Sequence, residues 1–345
     1  MKEREFPSAL WSLNPDTVHG EDAVSGQLSF DGKSYLRLDI PVGVLLDYPK
    51  IPADEGYMQC HSVDGLHADC IYGFSQTGDY YLLRDVASPG TCFAAPGFEK
   101  QSLTGASLFI TKQNIGENPI IKSVSIKVPG LREWIGTVPF SVTNTFDTSN
   151  RRCKEIAFNC NVEECTNVIL YESNELEIYV SFILTQKGGR IPSYEFCFES
   201  DCELEIKYKE PSLNFNEALD QHVFPIARFL WFCFGFRQAI TSIKFATIDD
   251  IPGEYVAPLV GTSDKPTNTQ LDSIPLPYKR IKAKTNEMIA RWLEFDEYAR
   301  NSSILVTSLM NDWAMSIDMQ FLASAQAFEA ASRSRVDEQE ISNED

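Results

Sequence analysis

The stretch Gln27-Leu28-Ser29-Phe30-Asp31-Gly32, followed after two residues by Tyr35-Leu36-Arg37-Leu38-Asp39-Ile40, decides the fold class that this sequence predicts. In the second run, apolar and polar side chains alternate, as they do in a strand that buries one face. Asp-Gly between two such runs is typical of a hairpin turn, because the turn needs residues that tolerate positive φ. The stretch therefore predicts an antiparallel β-hairpin near the N-terminus.

Short apolar stretches broken by Gly, Pro, Asp and Asn extend outward from this hairpin, from about residue 20 to residue 127. A second hairpin is predicted from residues 68–74 and 80–83, which flank Thr77-Gly78-Asp79. Further strands are predicted at 106–110 and 120–128. Several short strands at close spacing are typical of all-β architectures, so this region is predicted to form a sandwich or a barrel-like sheet.

Strand patterns resume beyond residue 130 and then give way to helices. A short helix or turn that carries Trp134 comes first. A longer helix is predicted from an N-cap at Asn214 to about Phe234, with a kink at Pro225. Strands are predicted at 167–172, 176–185, 194–199, 204–208 and 238–247.

The C-terminal part changes character again after residue 248. Residues 249–278 contain five prolines, which predicts a linker or a long surface loop. Beyond it, apolar residues at three- and four-residue steps predict two helices, of which the second is long. The first helix is marked by Ile281, Met288, Ile289, Trp292 and Phe295, and the second by Leu305, Leu309, Trp313, Ile317, Phe321, Ala325 and Phe328.

The predicted fold class is α+β, with a β-rich, sandwich or barrel-like N-terminal region followed by a helical C-terminal segment. A chain of 345 residues exceeds the usual size of a domain with one hydrophobic core, so more than one domain is expected. We predict a β-rich domain over 1–130, a second β-rich segment with one helix over 131–248, the linker over 249–278 and a helical segment over 279–345. The second segment is either separate from the first or continuous with it.

Charge and hydropathy restrict the classes of partner. The 30 basic and 49 acidic residues give a net charge of −19, which disfavours tight binding to nucleic acid. The most apolar run, residues 224–236, is shorter than the roughly 20 residues that cross a bilayer, so a buried helix is predicted rather than a membrane span. Nine cysteines and an N-terminus without an apolar signal core predict reduced thiols in the cytoplasm.

Cysteine and histidine pairs raise the question of a metal site. Cys60-His61 and His67-x-x-Cys70 flank Asp64-Gly65, which predicts a hairpin. Side chains alternate between the faces of a strand, so these four groups would point to opposite faces and could not surround one tetrahedral ion. They are predicted to be ordinary strand residues.

A second candidate set consists of Cys160-x4-Cys165 and Cys197-x4-Cys202. Four thiolates can hold a structural zinc, but the usual spacing has two intervening residues and flanking turn glycines, which are missing here. Small cysteines also pack well beside strands. In this interpretation, Glu199-Ser200-Asp201 is a turn between two strands. Neither a metal nor a cofactor is predicted, and these four cysteines are kept only as the alternative.

No catalytic residue is predicted. The sequence contains four histidines, at 19, 61, 67 and 222, and none of them lies in a motif that positions a nucleophile. Gly-x-Ser-x-Gly, His-Glu-x-x-His and a phosphate-binding Gly-rich loop do not occur. His222, on the predicted helix 214–234, is interpreted as a partly buried histidine with a hydrogen-bonding partner.

Several short segments, taken in chain order, resemble ApeA-like bacterial anti-phage proteins, in which a β-rich N-terminal region precedes a C-terminal HEPN domain. The resemblance covers nearly the whole chain, and its sharpest part is the run Phe321–Glu329. The segments are Gly26–Phe30 with Leu36–Leu38, Ile71–Gly73 with Tyr81–Leu83, Leu131–Trp134, Ser212–Phe236, Met288–Leu293 and Phe321–Glu329.

The resemblance implies a sensor or regulatory region of a defence protein, which acts by binding rather than catalysis. The implied partner is a protein, either a phage trigger or a second copy held through the C-terminal helices, since HEPN-like helices often pair. HEPN ribonucleases use an Arg-x4-6-His motif, which cannot be placed on any residue here. A ribonuclease is therefore the alternative if the native protein extends beyond residue 345, and a generic β-sandwich ligand-binding module is another.

Overall fold

The computed structural model describes residues 3–32, 34–46, 51–52, 58–59, 66–88, 93–95, 98–136, 140–146, 153–160, 167–187, 197–258, 271–309 and 317–341. The chain divides into two compact units. Unit 1 comprises Met1–Lys122, Pro211–Phe215 and Ser242–Val260, and unit 2 comprises Ser123–Glu210, Asn216–Thr241 and Gly261–Asp345. The β-rich, α+β fold class is confirmed.

Nineteen strands and six α-helices are found in the described part of the chain. The strands are β1 Arg4–Glu5, β2 Ala9–Ser12, β3 Val24–Phe30, β4 Leu36–Ile40, β5 Ile51–Pro52, β6 Met58–Gln59, β7 His67–Ser75, β8 Tyr80–Ala87, β9 Phe93–Ala95, β10 Phe98–Gly105, β11 Ser107–Thr111, β12 Ile121–Lys127, β13 Phe140–Phe146, β14 Cys153–Cys160, β15 Asn167–Glu172, β16 Leu176–Lys187, β17 Cys197–Tyr208, β18 Ser242–Thr247 and β19 Pro252–Val256. The helices are α1 Leu131–Ile135, α2 Phe215–Ala218, α3 Phe224–Phe234, α4 Tyr278–Ile281, α5 Thr285–Ser308 and α6 Ile317–Ile341. Among the helices that the structure describes, none combines the length and the apolar character that a bilayer span requires.

Unit 1 contains a closed antiparallel barrel of six strands. Its strand order is β8-β7-β2-β3-β4-β10, and the pair Thr104–Ala87 joins β10 back to β8. On the other edge of β8, the strands β11, β19 and β18 follow in that order. Closure removes the unpaired edges that an open sheet of this size would expose, and the barrel-like alternative of the sequence prediction is therefore confirmed.

The barrel interior is filled by the inward-facing residues of the alternating runs. Trp11 is fully buried, and its indole Nε1 donates a hydrogen bond to the carbonyl oxygen of Gly26, 3.3 Å away. A Cβ at Gly73, the cross-strand partner of Trp11, would lie 2.8 Å from the indole ring. Glycine at this position is therefore what leaves room for the largest side chain. The surrounding core includes Leu28, Phe30, Leu36, Leu38, Ile40, Ile71, Leu83 and Leu103.

The predicted hairpin at residues 27–40 is confirmed, and its turn is longer than the two residues of a tight turn. Phe30 pairs with Leu36, so residues 31–35 form the connection. The Asp31 carboxylate accepts hydrogen bonds from the backbone N–H groups of Ser34 and Tyr35, at 2.7 and 3.3 Å. Gly32 has a φ of 81°, the positive value for which glycine was expected here.

Unit 2 contains an antiparallel sheet with the strand order β15-β16-β17-β12. The prediction of a turn at Glu199-Ser200-Asp201 is wrong, because β17 runs without a break from Cys197 to Tyr208. It pairs along its whole length with β16, from Lys187–Cys197 to Leu176–Tyr208. A polar run can stay in a strand when an equally long partner supplies its backbone hydrogen bonds.

The helices of unit 2 follow the predicted order with two local differences. Near Pro225, where a kink was predicted, the structure has a π-helical turn at Leu219–Val223, which widens the backbone shortly before this residue without an N–H to donate. Helix α5 continues through the position where a new helix was expected, and only Ala299 departs from helical geometry there. The nine buried residues of α3 confirm the buried helix predicted at 224–236.

Candidate binding cleft

A surface cleft on the outer face of the barrel is the strongest candidate for a binding site in unit 1. Its volume is about 220 Å³. The lining residues come from the segment that leads into β2 and from β2, β3, β7 and the turn after β7. They are Ser8, Ala9, Leu10, Ser25, Phe74, Ser75 and Gln76.

The outward side chains of neighbouring strands form the centre of the cleft. On β2, Ala9 and Trp11 face the barrel interior, so the alternation places Leu10 on the outside, where it remains 40% exposed. Leu10 pairs with Ser25 on β3 and with Phe74 on β7. Because adjacent strands lie about 4.8 Å apart, these three side chains stand side by side. Phe74 in turn pairs with Tyr80 on β8, which extends the row.

The exposed His19 adds an aromatic wall to this row. Its ring packs edge-on against Phe74, with 4.3 Å between the ring centroids, and its Nε2 lies 3.3 Å from the Tyr80 hydroxyl. The segment that carries His19 is held by a short 3-10 turn at Pro15–Thr17, where the Asn14 side chain accepts a hydrogen bond from the Asp16 N–H. Local capping therefore positions His19 beside the barrel strands.

Hydroxyl groups form the polar part of the cleft. Ser8 Oγ donates to Gln27 Oε1 over 2.8 Å, and Ser75 Oγ accepts the backbone N–H of Asp79 over 2.9 Å. Burial opposes the ionisation of Asp79, but hydrogen bonds from Lys112 and Thr77 outweigh it and hold the pKa of Asp79 below its ordinary value. None of the seven lining residues carries a charge. The cleft therefore suits an apolar side chain with a neutral, hydrogen-bonding backbone on either side of it.

The first candidate metal set is only partly described. Cys60, His61 and the Asp64-Gly65 turn lie outside the described residues. On β7, His67 is exposed and Cys70 is half-buried. Burial is the main cause that raises the pKa of the Cys70 thiol, with a contribution from Glu117, and a protonated thiol is a poor metal ligand.

The second candidate set is described at three of its four positions. Cys160 ends β14, Cys197 begins β17, and Cys165 lies outside the described residues. Cys202 is buried, and its burial raises the pKa of its thiol to about 12. In the part of the chain that the structure describes, His, Cys, Asp and Glu side chains form no group of three that could hold an ion. Zinc at this set stays the alternative hypothesis.

His222 lies partly buried on the π-helical turn, as the sequence analysis expected of this residue. Its Nδ1 is 3.3 Å from the hydroxyl of Tyr208. Burial lowers the pKa of His222 to about 4 and raises the pKa of Tyr208 above its ordinary value. The imidazole is therefore neutral at physiological pH, as in a structural histidine.

The residues of the cleft were not singled out from the sequence. The alternation in Ala9-Leu10-Trp11-Ser12 could have marked Leu10 as the residue opposite the buried Trp11. The neighbours Phe74 and His19 could not have been assigned to it, because their proximity depends on strand pairing across the barrel.

These features define an α+β protein built on a closed six-stranded barrel that presents an uncharged, partly aromatic cleft. The family comparison places it more narrowly: the chain belongs to the family described as ApeA N-terminal domain 1, whose model matches residues 8–292. The resemblance to ApeA-like proteins is thereby confirmed, and family membership indicates an anti-phage defence protein. The match ends within α5, so the HEPN interpretation of Phe321–Glu329 in α6 stays a prediction. Neither a curated protein nor a solved structure matches the chain.

Proposed function

We propose that this chain is the sensor region of an ApeA-like defence protein, acting by binding, and that its cleft receives a segment of the phage protein that triggers defence. The observation that carries the proposal is the row of the exposed Leu10 with the half-buried Phe74 and Tyr80, against which the exposed His19 packs, on a family member indicated to act in anti-phage defence. Exposed apolar and aromatic groups that a rigid scaffold presents together are typical of protein recognition.

The size and chemistry of the cleft favour a protein segment over a free small molecule. A volume of about 220 Å³ lies below the roughly 300–1,000 Å³ of pockets that enclose drug-sized ligands. One apolar side chain of the partner would fill the cleft beside Leu10 and Phe74. Ser25 and Gln76 also line the cleft, and their hydroxyl and amide groups can hydrogen-bond the backbone of the partner.

The charge of the chain supports a protein partner over nucleic acid. A net charge of −19 repels a phosphate backbone and attracts basic protein segments. We place the encounter in the cytoplasm, where thiols such as the free Cys70, Cys202 and Cys233 stay reduced.

The proposal is tested by Leu10→Arg in cells that produce the protein and are challenged with a phage it restricts. An arginine in this uncharged cleft would have to lose its hydration when the partner docks, so we expect protection, measured as plating efficiency, to fall at least about tenfold. The matched control is Val42→Arg, which changes an aliphatic residue of unit 1 that is 61% exposed and does not line the cleft. That variant should protect like the wild type.

The purified variants should share the wild-type circular dichroism spectrum and melting temperature, since both substituted side chains are exposed. Full protection by a folded Leu10→Arg protein would refute the sensor role of the cleft. In a separate experiment, phages that escape the wild-type protein are selected to identify the trigger gene. Their substitutions should weaken the binding of the purified trigger to the purified chain.

A second candidate function, self-association, is favoured by the exposed apolar residues of α6. Phe321 and Phe328 are 75% and 74% exposed, and Met319 and Leu322 about half exposed. Light scattering after size-exclusion chromatography should give a dimer mass for the wild type and a monomer mass for Phe321→Ser/Phe328→Ser. Ile304→Ser, on α5, should leave the dimer intact. A monomeric wild-type chain would exclude this function.

A further inference from the structure

Helices α3 and α5 of unit 2 are joined by a buried ion pair. The guanidinium of Arg228 meets the carboxylate of Asp296 in a bidentate geometry, with Nε–Oδ1 at 2.8 Å and Nη2–Oδ2 at 2.6 Å. Arg228 is 8% exposed and Asp296 is 1% exposed. A pair of this geometry fixes the relative orientation of the two side chains, because both hydrogen bonds require one plane.

The same carboxylate also binds a residue further along α5. The hydroxyl of Ser303 lies 2.5 Å from Asp296 Oδ1 and 2.9 Å from the carbonyl oxygen of Arg300. In a straight α-helix, residues seven positions apart are separated by about 10.5 Å along the axis, which is farther than these two short side chains reach. The hydrogen bond between Asp296 and Ser303 can therefore form only where the helix is distorted between them.

The distortion is present at Ala299, which lies between the two residues. Its φ of −127° and ψ of 36° fall outside helical values, although the residues on both sides are helical. Kinks of this kind occur where a side chain replaces part of the backbone hydrogen-bond ladder. At this kink, the Ser303 hydroxyl lies within hydrogen-bonding distance of both the Arg300 carbonyl and the Asp296 carboxylate, and its one proton is shared between them.

The two halves of α5 are anchored very differently. In the first half, Ile289 is fully buried, and Trp292 packs its ring near Phe229 and Phe232 and donates a hydrogen bond from Nε1 to the Pro225 carbonyl over 2.9 Å. Beyond Ala299, the buried residues of α5 are small and polar, namely Ser302, Ser303 and Thr307. The buried residues described in α6 are Ala323 and Ala327. The larger apolar residues Leu305 and Val306 are only half-buried in this part of unit 2, so hydrogen bonds carry a larger share of its stabilisation than in the first half of α5.

We propose that Arg228, Asp296 and Ser303 form a latch that holds α5 in its kinked form, with Ala299 as the hinge. Opening the latch releases the second half of α5, together with α6, while the first half of α5 stays on α3. A further tie, from Arg300 Nη2 to the carbonyl oxygen of Asp220 at 3.0 Å, belongs to the closed form. The latch would control how α6 presents its exposed apolar residues, and it does not depend on the function of the cleft.

Hydrogen exchange of the full chain, followed by mass spectrometry, tests the latch. Ser303→Ala removes the bond that spans the kink and leaves the Arg228–Asp296 pair in place, and Asp296→Asn weakens both contacts. With either variant, we expect the amides of 302–308 and 317–333 to exchange about tenfold faster or more, because local opening becomes more frequent. In Ser303→Ala, which keeps the counter-ion of Arg228, exchange in α3 and in residues 285–295 should not change.

The matched control is Glu287→Gln, which removes the exposed ion pair between Glu287 and Arg291 on the first half of α5. This variant should leave the exchange of every segment unchanged. A uniform rise across unit 2 in Ser303→Ala would show general destabilisation and refute a hinge. If residues 302–308 and 317–333 of Ser303→Ala exchange as slowly as in the wild type, the latch is refuted. This holds whatever the exchange rates of the more disruptive Asp296→Asn.

Discussion

The barrel interior of unit 1 and the α3–α5 contact of unit 2 differ in the use of buried charge. Large apolar side chains fill the barrel around Trp11, and glycine at position 73 makes the space. The α3–α5 contact combines the packing of Trp292 near Phe229 and Phe232 with the buried ion pair of Arg228 and Asp296, to which Ser303 is attached. Apolar burial is non-directional and additive, whereas buried charges need one geometry and tolerate no missing partner.

The difference suits the two regions to the different tasks that we propose for them. A tightly packed barrel can hold surface residues such as Leu10 and Phe74 in fixed positions, which a recognition cleft requires. A contact that depends on a few directional bonds can exist in two states, which a movable helix requires.

Removing one partner of the buried pair should have the largest effect. Asp296→Ala leaves the Arg228 charge buried without its counter-ion, and we expect the free energy of unfolding to fall by about 3–5 kcal/mol. The double variant Arg228→Met/Asp296→Leu replaces both charges with apolar groups and should lie within about 1 kcal/mol of the wild type. Urea denaturation measures both values. If the double variant is as unstable as Asp296→Ala, apolar side chains cannot replace the ion pair at this contact.

Filling the space beside Trp11 should have the next largest effect. Gly73→Ala places a methyl group 2.8 Å from a fully buried indole, and overpacking of this kind should cost about 2–3 kcal/mol. The control is Gly116→Ala, where a Cβ meets nothing within 4 Å and only the φ of 69° opposes the change. That variant should lose about 1 kcal/mol. Equal losses in the two variants would show that packing against Trp11 does not limit this position.

The smallest effect is a loss of stability at acidic pH, which we attribute to His222 in unit 2. Burial lowers the pKa of His222 to about 4 from an ordinary value of 6.5. Between these values the unfolded chain binds a proton that the folded chain does not, so the contribution of His222 to stability is complete above pH 6.5 and is lost as the pH falls towards 4. From about pH 7.5 to about pH 5, this loss is about 2 kcal/mol.

The measurement compares the wild type with His222→Asn, which keeps a hydrogen-bonding group near Nδ1 and does not titrate. Urea denaturation at the two pH values should show a smaller decrease in the variant, by about the 2 kcal/mol attributed to His222. An identical decrease in both proteins would mean that His222 takes up its proton without cost in the folded chain.

Some elements were predictable because their signals are local. The hairpin of β3 and β4 follows from the alternation in residues 35–40 and from Asp31-Gly32, and β15 was predicted with its observed bounds. The helix at 224–234 follows from its apolar composition. These features depend on residues that are close in the chain, so the sequence contains their causes.

Other features depend on residues that are far apart in the chain. Glu199-Ser200-Asp201 reads as a turn in isolation, and only the length of β16 keeps it in a strand. The kink at Ala299 depends on a carboxylate drawn towards Arg228, 68 residues earlier. The cleft brings together Leu10, Ser25 and Phe74 through strand pairing.

The sequence by itself determined the β-rich, α+β class, the first hairpins, the buried helix and the resemblance to ApeA-like proteins. Hydrophobic periodicity and turn residues act over a few positions in the chain. Short motifs can likewise be recognised without knowing which residues lie near them in the fold. Only the tertiary structure decided that six strands close into a barrel, that an uncharged cleft forms on its outer face, and that a buried ion pair fixes the bend of α5. Each of these features depends on contacts between residues that are distant in the chain, and such contacts form only when the chain folds.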